Sequence, residues 1–267
     1  MSDRKKIYIS ADIEGTAGAF LWEDGRKGTE EYRRQCQIMG GEVLSIVRAL
    51  NEKYDSCEIL IKDAHATGGN LNIADFPDNC RIIRGWDESP IGMMQGIDES
   101  FDFAVLAGYH SGAGSGGAPL AHTLNSRRYD RMELNGKVIS EFVISYYTAL
   151  MYGVPVAIVS GDAALAKEVK EYDARILTVA VQEGRGNSVT AMTPAKVRRC
   201  LEEAVREAKE LSCTGGLPRE WHLAVRYYSH GEAKKSSFYP GCVLTDPKTV
   251  EFRTGDFYEI LRALMFI

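Results

Sequence analysis

Five short apolar runs, each closed by glycine or a polar residue and separated by longer stretches, most clearly constrain how this chain folds. They occupy residues 7–13, 58–62, 81–85, 101–109 and 154–159. Their shortness and β-branched content favour strands, and a strand apolar at nearly every position must be covered on both faces. Between the first two runs, Tyr32, Cys36, Met39, Val43, Ile46, Val47 and Leu50 recur at three or four, the helical period. Alternation of this kind predicts an α/β fold: an open, mainly parallel sheet with helices on both faces. Right-handed crossovers bring the strand ends to one side.

Later segments change character. Asn135-Gly136, in the middle of residues 129–139, is a strong hairpin signal. Thr193-Pro194 caps a helix expected to run through Leu211, with Val197, Leu201, Ala204, Val205 and Ala208 on one face. Strand-like runs at 222–228 and 249–253 and a helical run ending at Ile267 complete the chain. This tail predicts a smaller α+β C-terminal unit, dividing the protein into residues 1–180 and 181–267.

Composition removes several function classes. The chain has 267 residues, with 32 Lys+Arg against 37 Asp+Glu, and no basic run that would displace counterions from nucleic acid. No apolar stretch approaches the roughly 18–20 residues that cross a bilayer, and the first ten residues are charged without an apolar signal region. A cytoplasmic protein is expected, with neither nucleic acid nor membrane as partner. Six cysteines lie far apart with no C-x-x-C pair, so neither a zinc ribbon nor a redox dithiol is encoded. Reduced, mostly buried thiols are expected.

Polar residues cluster at the ends of the apolar runs, where ligands bind in an open parallel sheet. Asp12 and Glu14 are two apart and share one side of an extended segment; Asp63 and His65 repeat the spacing, and His110 closes the fourth run. Each alone also reads as a turn former. Together they bring carboxylates side by side, which repel one another unless a proton or cation neutralises them. Imidazoles complete a mixed oxygen and nitrogen set suited to a divalent transition metal such as Zn²⁺, with donors enough for two ions sharing a carboxylate. His122 is open to two readings, a base over the metals or a surface loop histidine. Asp162 is open to two as well, a support for the ligands or a turn residue. Trp221, Tyr227, Tyr228 and His230 are read as core and interface residues.

Gly112-Ala113-Gly114-Ser115-Gly116-Gly117 matches G-x-G-x-x-G after a strand, but no helical pattern opens within it, and Pro119 follows. Without a helix N-terminus facing pyrophosphate, the dinucleotide reading loses its basis. A mobile loop over an active site fits better. No Gly-x-Ser-x-Gly elbow, P-loop or His-Glu-x-x-His motif is present.

The order of these residues resembles the M55 metallopeptidase family, the D-aminopeptidases first described as dipeptide transport proteins. The run from Ser10 to Gly18 is similar to the family's S-x-D-x-E-G-x-x-G opening. Lys62-Asp63-Ala64-His65, Gly108-Tyr109-His110, Leu120-Ala121-His122-Thr123, Asn135-Gly136 followed by Glu141, Ser160-Gly161-Asp162 and Tyr239-Pro240-Gly241 then follow in order. The resemblance implies a two-zinc aminopeptidase, with manganese or cobalt as alternatives, in which 1–180 is the metal-binding catalytic domain. Asp12 would bridge the ions, and Glu14, His65, His110 and Glu141 would complete their shells. His122 would be the catalytic histidine, and Asp63 would orient His65. The implied substrate is a short peptide with a free amino terminus, and the implied assembly a ring-built homo-oligomer, with a decamer as one candidate size. Ser140 and Ser145 depart from the family pattern, where glycine and asparagine are usual. Competing expectations are a metal-dependent amidase acting on a non-peptide amide, a dinucleotide-binding oxidoreductase using the 112–117 loop, and a metal-binding protein without catalysis.

Overall fold

The computed structural model describes residues 4–213 and 216–267. In chain order the first half comprises β1 (Lys5–Ala11), α1 (Trp22–Gly25), α2 (Glu30–Lys53), β2 (Cys57–Asp63), β3 (Cys80–Ile83), β4 (Phe103–Tyr109), β5 (Tyr129–Leu134) and β6 (Lys137–Val138). The second half comprises α3 (Glu141–Met151), β7 (Val156–Asp162), α4 (Ala163–Tyr172), β8 (Leu177–Arg185), β9 (Ser188–Ala191) and α5 (Pro194–Glu207). It closes with β10 (Trp221–Tyr227), α6 (His230–Ser236), β11 (Cys242–Asp246), β12 (Thr249–Thr254) and α7 (Phe257–Leu264).

A seven-stranded sheet in the order β3-β2-β1-β4-β7-β8-β9 forms the centre. All its pairings are parallel except β8 with β9. Alternate residues of β1 serve opposite faces: Ile7 and Ile9 pack with Met39, Val43 and Ile46 of α2 and with Val197 and Leu201 of α5. Tyr8 joins the other core, with Phe142 of α3 and Leu165 of α4. Every residue of β4 and β7 is buried, as a strand between two helical layers requires. Each fully buried aliphatic side chain of this kind contributes about 1.5–3 kcal/mol.

A second, antiparallel sheet has the order β11-β12-β10-β5-β6 and packs its apolar face, including Met132, Leu223 and Val225, into the core that holds Tyr8 and Phe142. Its hairpin turns at Asn135 and Gly136, both with positive φ, as a two-residue turn of the type predicted there demands.

The two sheets do not part at residue 180. β8 runs across that position, and β8, β9 and α5 all stay with the parallel sheet, while β5 and β6 cross from the first half into the antiparallel one. The pairing of β5 with β10 joins residues about ninety positions apart, such as Met132 and Val225, which no local pattern encodes. The helix begun at Thr193-Pro194 ends at Glu207 rather than Leu211, and β11, not marked as a strand by the sequence pattern, lies on a sheet edge. All six cysteines are unpaired; only Cys57 is fully buried, the others being half-buried. Among the described residues, no helix is long and apolar enough to cross a membrane.

Candidate metal centre

The parallel sheet aligns the ends of three neighbouring strands. Ala11 lies opposite Asp63 of β2 on one side and Ala107 of β4 on the other, so the residues that follow emerge level with each other. This is also where the order of strands reverses, β2 following to one side of β1 and β4 to the other. Two glycines allow the chains to cross there. A Cβ on Gly15 would stand 1.6 Å from the Tyr109 carbonyl oxygen, and one on Gly108 would stand 2.3 Å from that of Asp12, with φ at +72°. The Gly15 amide donates to the Gly108 carbonyl across the gap (2.8 Å).

Six side chains converge on this crossing. His65 Nδ1 lies 2.9 Å from Glu14 Oε2 and 3.4 Å from Asp12 Oδ1. His110 Nε2 lies 3.5 Å from both Asp12 Oδ2 and Glu141 Oε2, and His122 Nε2 is 3.7 Å from Glu141 Oε1. The two oxygens of Asp12 thus face two different imidazoles. Glu141 opens α3, and its Oε1 accepts from the Leu124 amide (2.7 Å), which fixes the carboxylate.

The far nitrogen of each imidazole meets a carbonyl. His65 Nε2 donates to Gly25 (2.7 Å), His110 Nδ1 to Ser111 (3.0 Å) and His122 Nδ1 to Leu120 (2.8 Å). A carbonyl accepts only, so when each ring is neutral its lone pair is on the nitrogen facing the carboxylates, the arrangement metal-ligating histidines adopt. The His110 and His122 rings stack at 4.3 Å, and Trp22 packs edge-on against His122.

Asp12 Oδ2, Glu14 Oε2 and His110 Nε2 are buried with no hydrogen-bond partner, although all three point into the same small space. Leaving such atoms unsatisfied is costly, and a divalent cation would satisfy all three at once. Two groups have their donor atoms close enough to share an ion: Asp12, Glu14 and His110, and His110, His122 and Glu141. Electrostatics agree with this reading. Burial and the neighbouring Glu14 push Asp12 up to about 8. For His65, burial opposes the charged form, but Glu14 and Asp12 outweigh it and push the ring up to about 12. Burial opposes charge on Glu14 and Glu141 too, yet the imidazoles beside them hold both carboxyls below their usual range. The field of the site attracts positive charge, as protons or as metal. His122 differs: burial and the charge on His110 lower it, which keeps its ring neutral.

Each residue singled out in the sequence can now be placed. Asp12, Glu14, His65, His110, His122 and Glu141 come together. Asp63 does not touch the His65 ring; it accepts from the Asn70 amide and side chain (2.5 Å each) and from Leu71, while Asn70 Nδ2 also donates to the His65 carbonyl. It therefore shapes the turn that carries His65. Asp162 caps α4 and accepts from the Ser111 amide (2.7 Å), so it anchors the residue after His110. The 112–117 loop is packed at both ends: a Cβ on Gly112 would meet the Ile139 carbonyl at 2.5 Å, and one on Gly117 would meet Ala164 Cβ at 2.2 Å. The element after it is a strand, β5, so no helix opens within that loop as a dinucleotide site requires. Trp221 and Tyr227 are core residues, whereas Tyr228 is about half exposed.

Sequence reasoning missed Trp22 and Gly25, which the short helix α1 carries to the site, and Leu124, two residues after His122. The short helix α1 has no apolar period; what holds it is Asp24, whose carboxylate accepts from the Phe20 and Leu21 amides. A cavity of about 700 Å³ opens over the cluster, with Trp22 and Trp86 in its walls and Arg26, Lys27 and Arg127 among the residues lining it.

The family model of the M55 peptidases, described as D-aminopeptidase, matches residues 5–266. The D-aminopeptidase of Bacillus subtilis (strain 168) is 30% identical over 97% of this chain and 95% of its own. A solved structure, the Zn-dependent D-aminopeptidase DppA from Bacillus subtilis, a self-compartmentalizing protease, superposes with a TM-score of 0.86. It is 26% identical, over 97% of this chain and 95% of that one.

Proposed function

Because the chain belongs to the M55 peptidase family, and is thus a hydrolase acting on peptide bonds, we propose that it removes the N-terminal residue, a D-amino acid, from short peptides using two zinc ions. The observation that carries this reading is the pair of donor sets around Asp12. His65 lies between Asp12 Oδ1 and Glu14 Oε2, and His110 lies between Asp12 Oδ2 and Glu141 Oε2. Asp12 would be shared between the two ions in this assignment, and Glu14, His65, His110 and Glu141 would complete their shells. Zinc held there would supply Lewis acidity to polarise the scissile carbonyl and to make water nucleophilic near neutral pH.

The chain's own residues supply the remaining steps. The carboxylates of the cluster fix the substrate's ammonium group and so the register of cleavage. His122, neutral and with Nε2 toward the site, takes a proton during attack and returns it to the leaving amine. Trp22 against its ring and the Leu120 carbonyl on its Nδ1 hold it in that orientation. Arg26 directly follows Gly25, whose carbonyl touches His65, and Arg127 is three residues beyond Leu124, whose amide touches Glu141. Both arginines line the cavity over the cluster, and their charge suits the carboxylate of a peptide of two or three residues, which spans roughly 7–10 Å when extended. Self-compartmentalization in the solved relative supports a ring-built homo-oligomer that admits short peptides by size.

Paired D- and L-aminoacyl dipeptides assayed with added zinc test the reading, together with metal analysis of the purified protein. Cleavage of the D series and about two ions per chain are expected. A fully active preparation without metal, or zinc binding with no cleavage of either series, refutes it; cleavage of the L series alone refutes the chirality.

A further inference from the structure

Beside the metal centre lies a second cavity, of about 140 Å³. It shares Gly92, Met93, Leu124 and Glu141 with the main cavity, so the two adjoin at the Glu141 side chain. Ile144 and Ser145 line it from α3, three and four residues after Glu141 and therefore on the same helix face. Leu261 and Leu264 of α7 close the opposite side. The Ser145 hydroxyl does not make this space polar: it pairs with the Tyr109 hydroxyl (3.1 Å), which in turn pairs with Ser10 Oγ (2.7 Å). The rest of the wall is mostly apolar, with Pro90, Ile91 and Met265; its polar groups are the Glu141 carboxylate, at the side toward the main cavity, and the Ser89 hydroxyl, which has no protein partner.

The size of the space identifies its occupant. Sites for whole small ligands run to about 300–1,000 Å³, whereas an apolar cavity of about 150 Å³ holds one benzene molecule. A volume of about 140 Å³ fits a single apolar side chain of leucine, methionine or phenylalanine size. A residue whose amine and carbonyl sit among Asp12, Glu14 and Glu141 can send its side chain past Glu141 into this space. We infer that the cavity between α3 and α7 receives the side chain of the substrate's N-terminal residue and selects medium-to-large apolar residues over alanine and over charged ones. This inference rests on the aminopeptidase reading above and narrows its substrate class.

The experiment uses the zinc-loaded enzyme and dipeptides X-Gly, with X as alanine, leucine, methionine, phenylalanine or lysine in both configurations. In the cleaved configuration, kcat/KM for leucine, methionine and phenylalanine should exceed that for alanine by about 10- to 100-fold, and lysine should fall below alanine. Two variants move the preference in opposite directions. Ser145→Leu, which fills the cavity, should reduce kcat/KM for the three large residues at least about tenfold more than for alanine. Ile144→Ala, which widens it, should raise phenylalanine relative to leucine, and zinc content and melting temperature report whether each variant has kept its fold. Equal kcat/KM for alanine and leucine, or variants that scale every substrate alike, overturn the inference while leaving the aminopeptidase standing. Absence of cleavage for every peptide of both series overturns the parent reading and this one with it.

Discussion

Replacing Asp12 by asparagine should change stability in opposite directions with and without zinc. The Asp12 carboxyl is about 2% exposed, and burial and Glu14 together push it from 3.8 up to about 8. In protein stripped with a chelator, the native state therefore keeps a proton at pH 7 that the unfolded chain releases. At about 1.4 kcal/mol per tenfold change, holding that proton costs up to about 4 kcal/mol at pH 7. Relaxation of the site roughly halves this, to about 2 kcal/mol. Asparagine carries no such cost, and the stripped Asp12→Asn protein should melt about 4–8 °C above stripped wild type. The native state binds the extra proton, so the wild-type penalty grows as pH rises from about 4 to about 8 and vanishes below pH 4. Zinc reverses the order. A ligand at a thousand times its Kd adds about 4 kcal/mol to the native state, and the variant, lacking the bridging carboxylate, should forfeit most of that gain. Calorimetry of both proteins in chelator and in excess zinc, between pH 4 and 8, reads all four quantities. A stripped variant less stable than stripped wild type, or an undiminished zinc-induced rise, would show that Asp12 neither suffers from nor serves a cation.

Three further outcomes follow from the same contacts. His122→Ala should retain about two zinc ions per chain and lose about 10²- to 10⁴-fold in kcat; loss of metal in step with activity would instead make His122 a ligand. Gly108→Ala should destabilise by about 2–5 kcal/mol, since a Cβ there meets the Asp12 carbonyl and φ is positive. Gly28→Ala, with φ at +106° but nothing within 4 Å, should cost strain alone; similar urea midpoints for the two variants would refute the packing argument. Glu42 is buried and pushed up to about 8 by its burial, which the Ala17 amide and Arg198 only partly oppose. Glu42→Gln should therefore match wild type near pH 4.5 and exceed it increasingly toward pH 8, by up to about 4 kcal/mol, in urea unfolding of the zinc-loaded protein. A constant difference across that range would exclude the titration.

The sequence by itself determined the parallel sheet, because an apolar run bounded by turns carries its own evidence of burial on two faces. It also determined that Asp12, Glu14, His65 and His110 share one rim, since strand order and right-handed crossovers place successive strand ends together. Tertiary structure alone decided what those residues can do. That the two oxygens of Asp12 face different imidazoles depends on the register of β1 against β2 and β4 and on two glycines that let backbones pass within contact. That each histidine offers its lone pair inward depends on carbonyls of Gly25, Ser111 and Leu120, groups every residue possesses and no motif can announce. The joining of the β5–β6 hairpin to the C-terminal strands was hidden for a related reason. The β5–β10 pairing links distant segments through backbone hydrogen bonds, whose partners are chosen by which apolar faces must be covered once the first sheet exists. That choice brought α7 against α3 and so created the small apolar cavity beside Glu141.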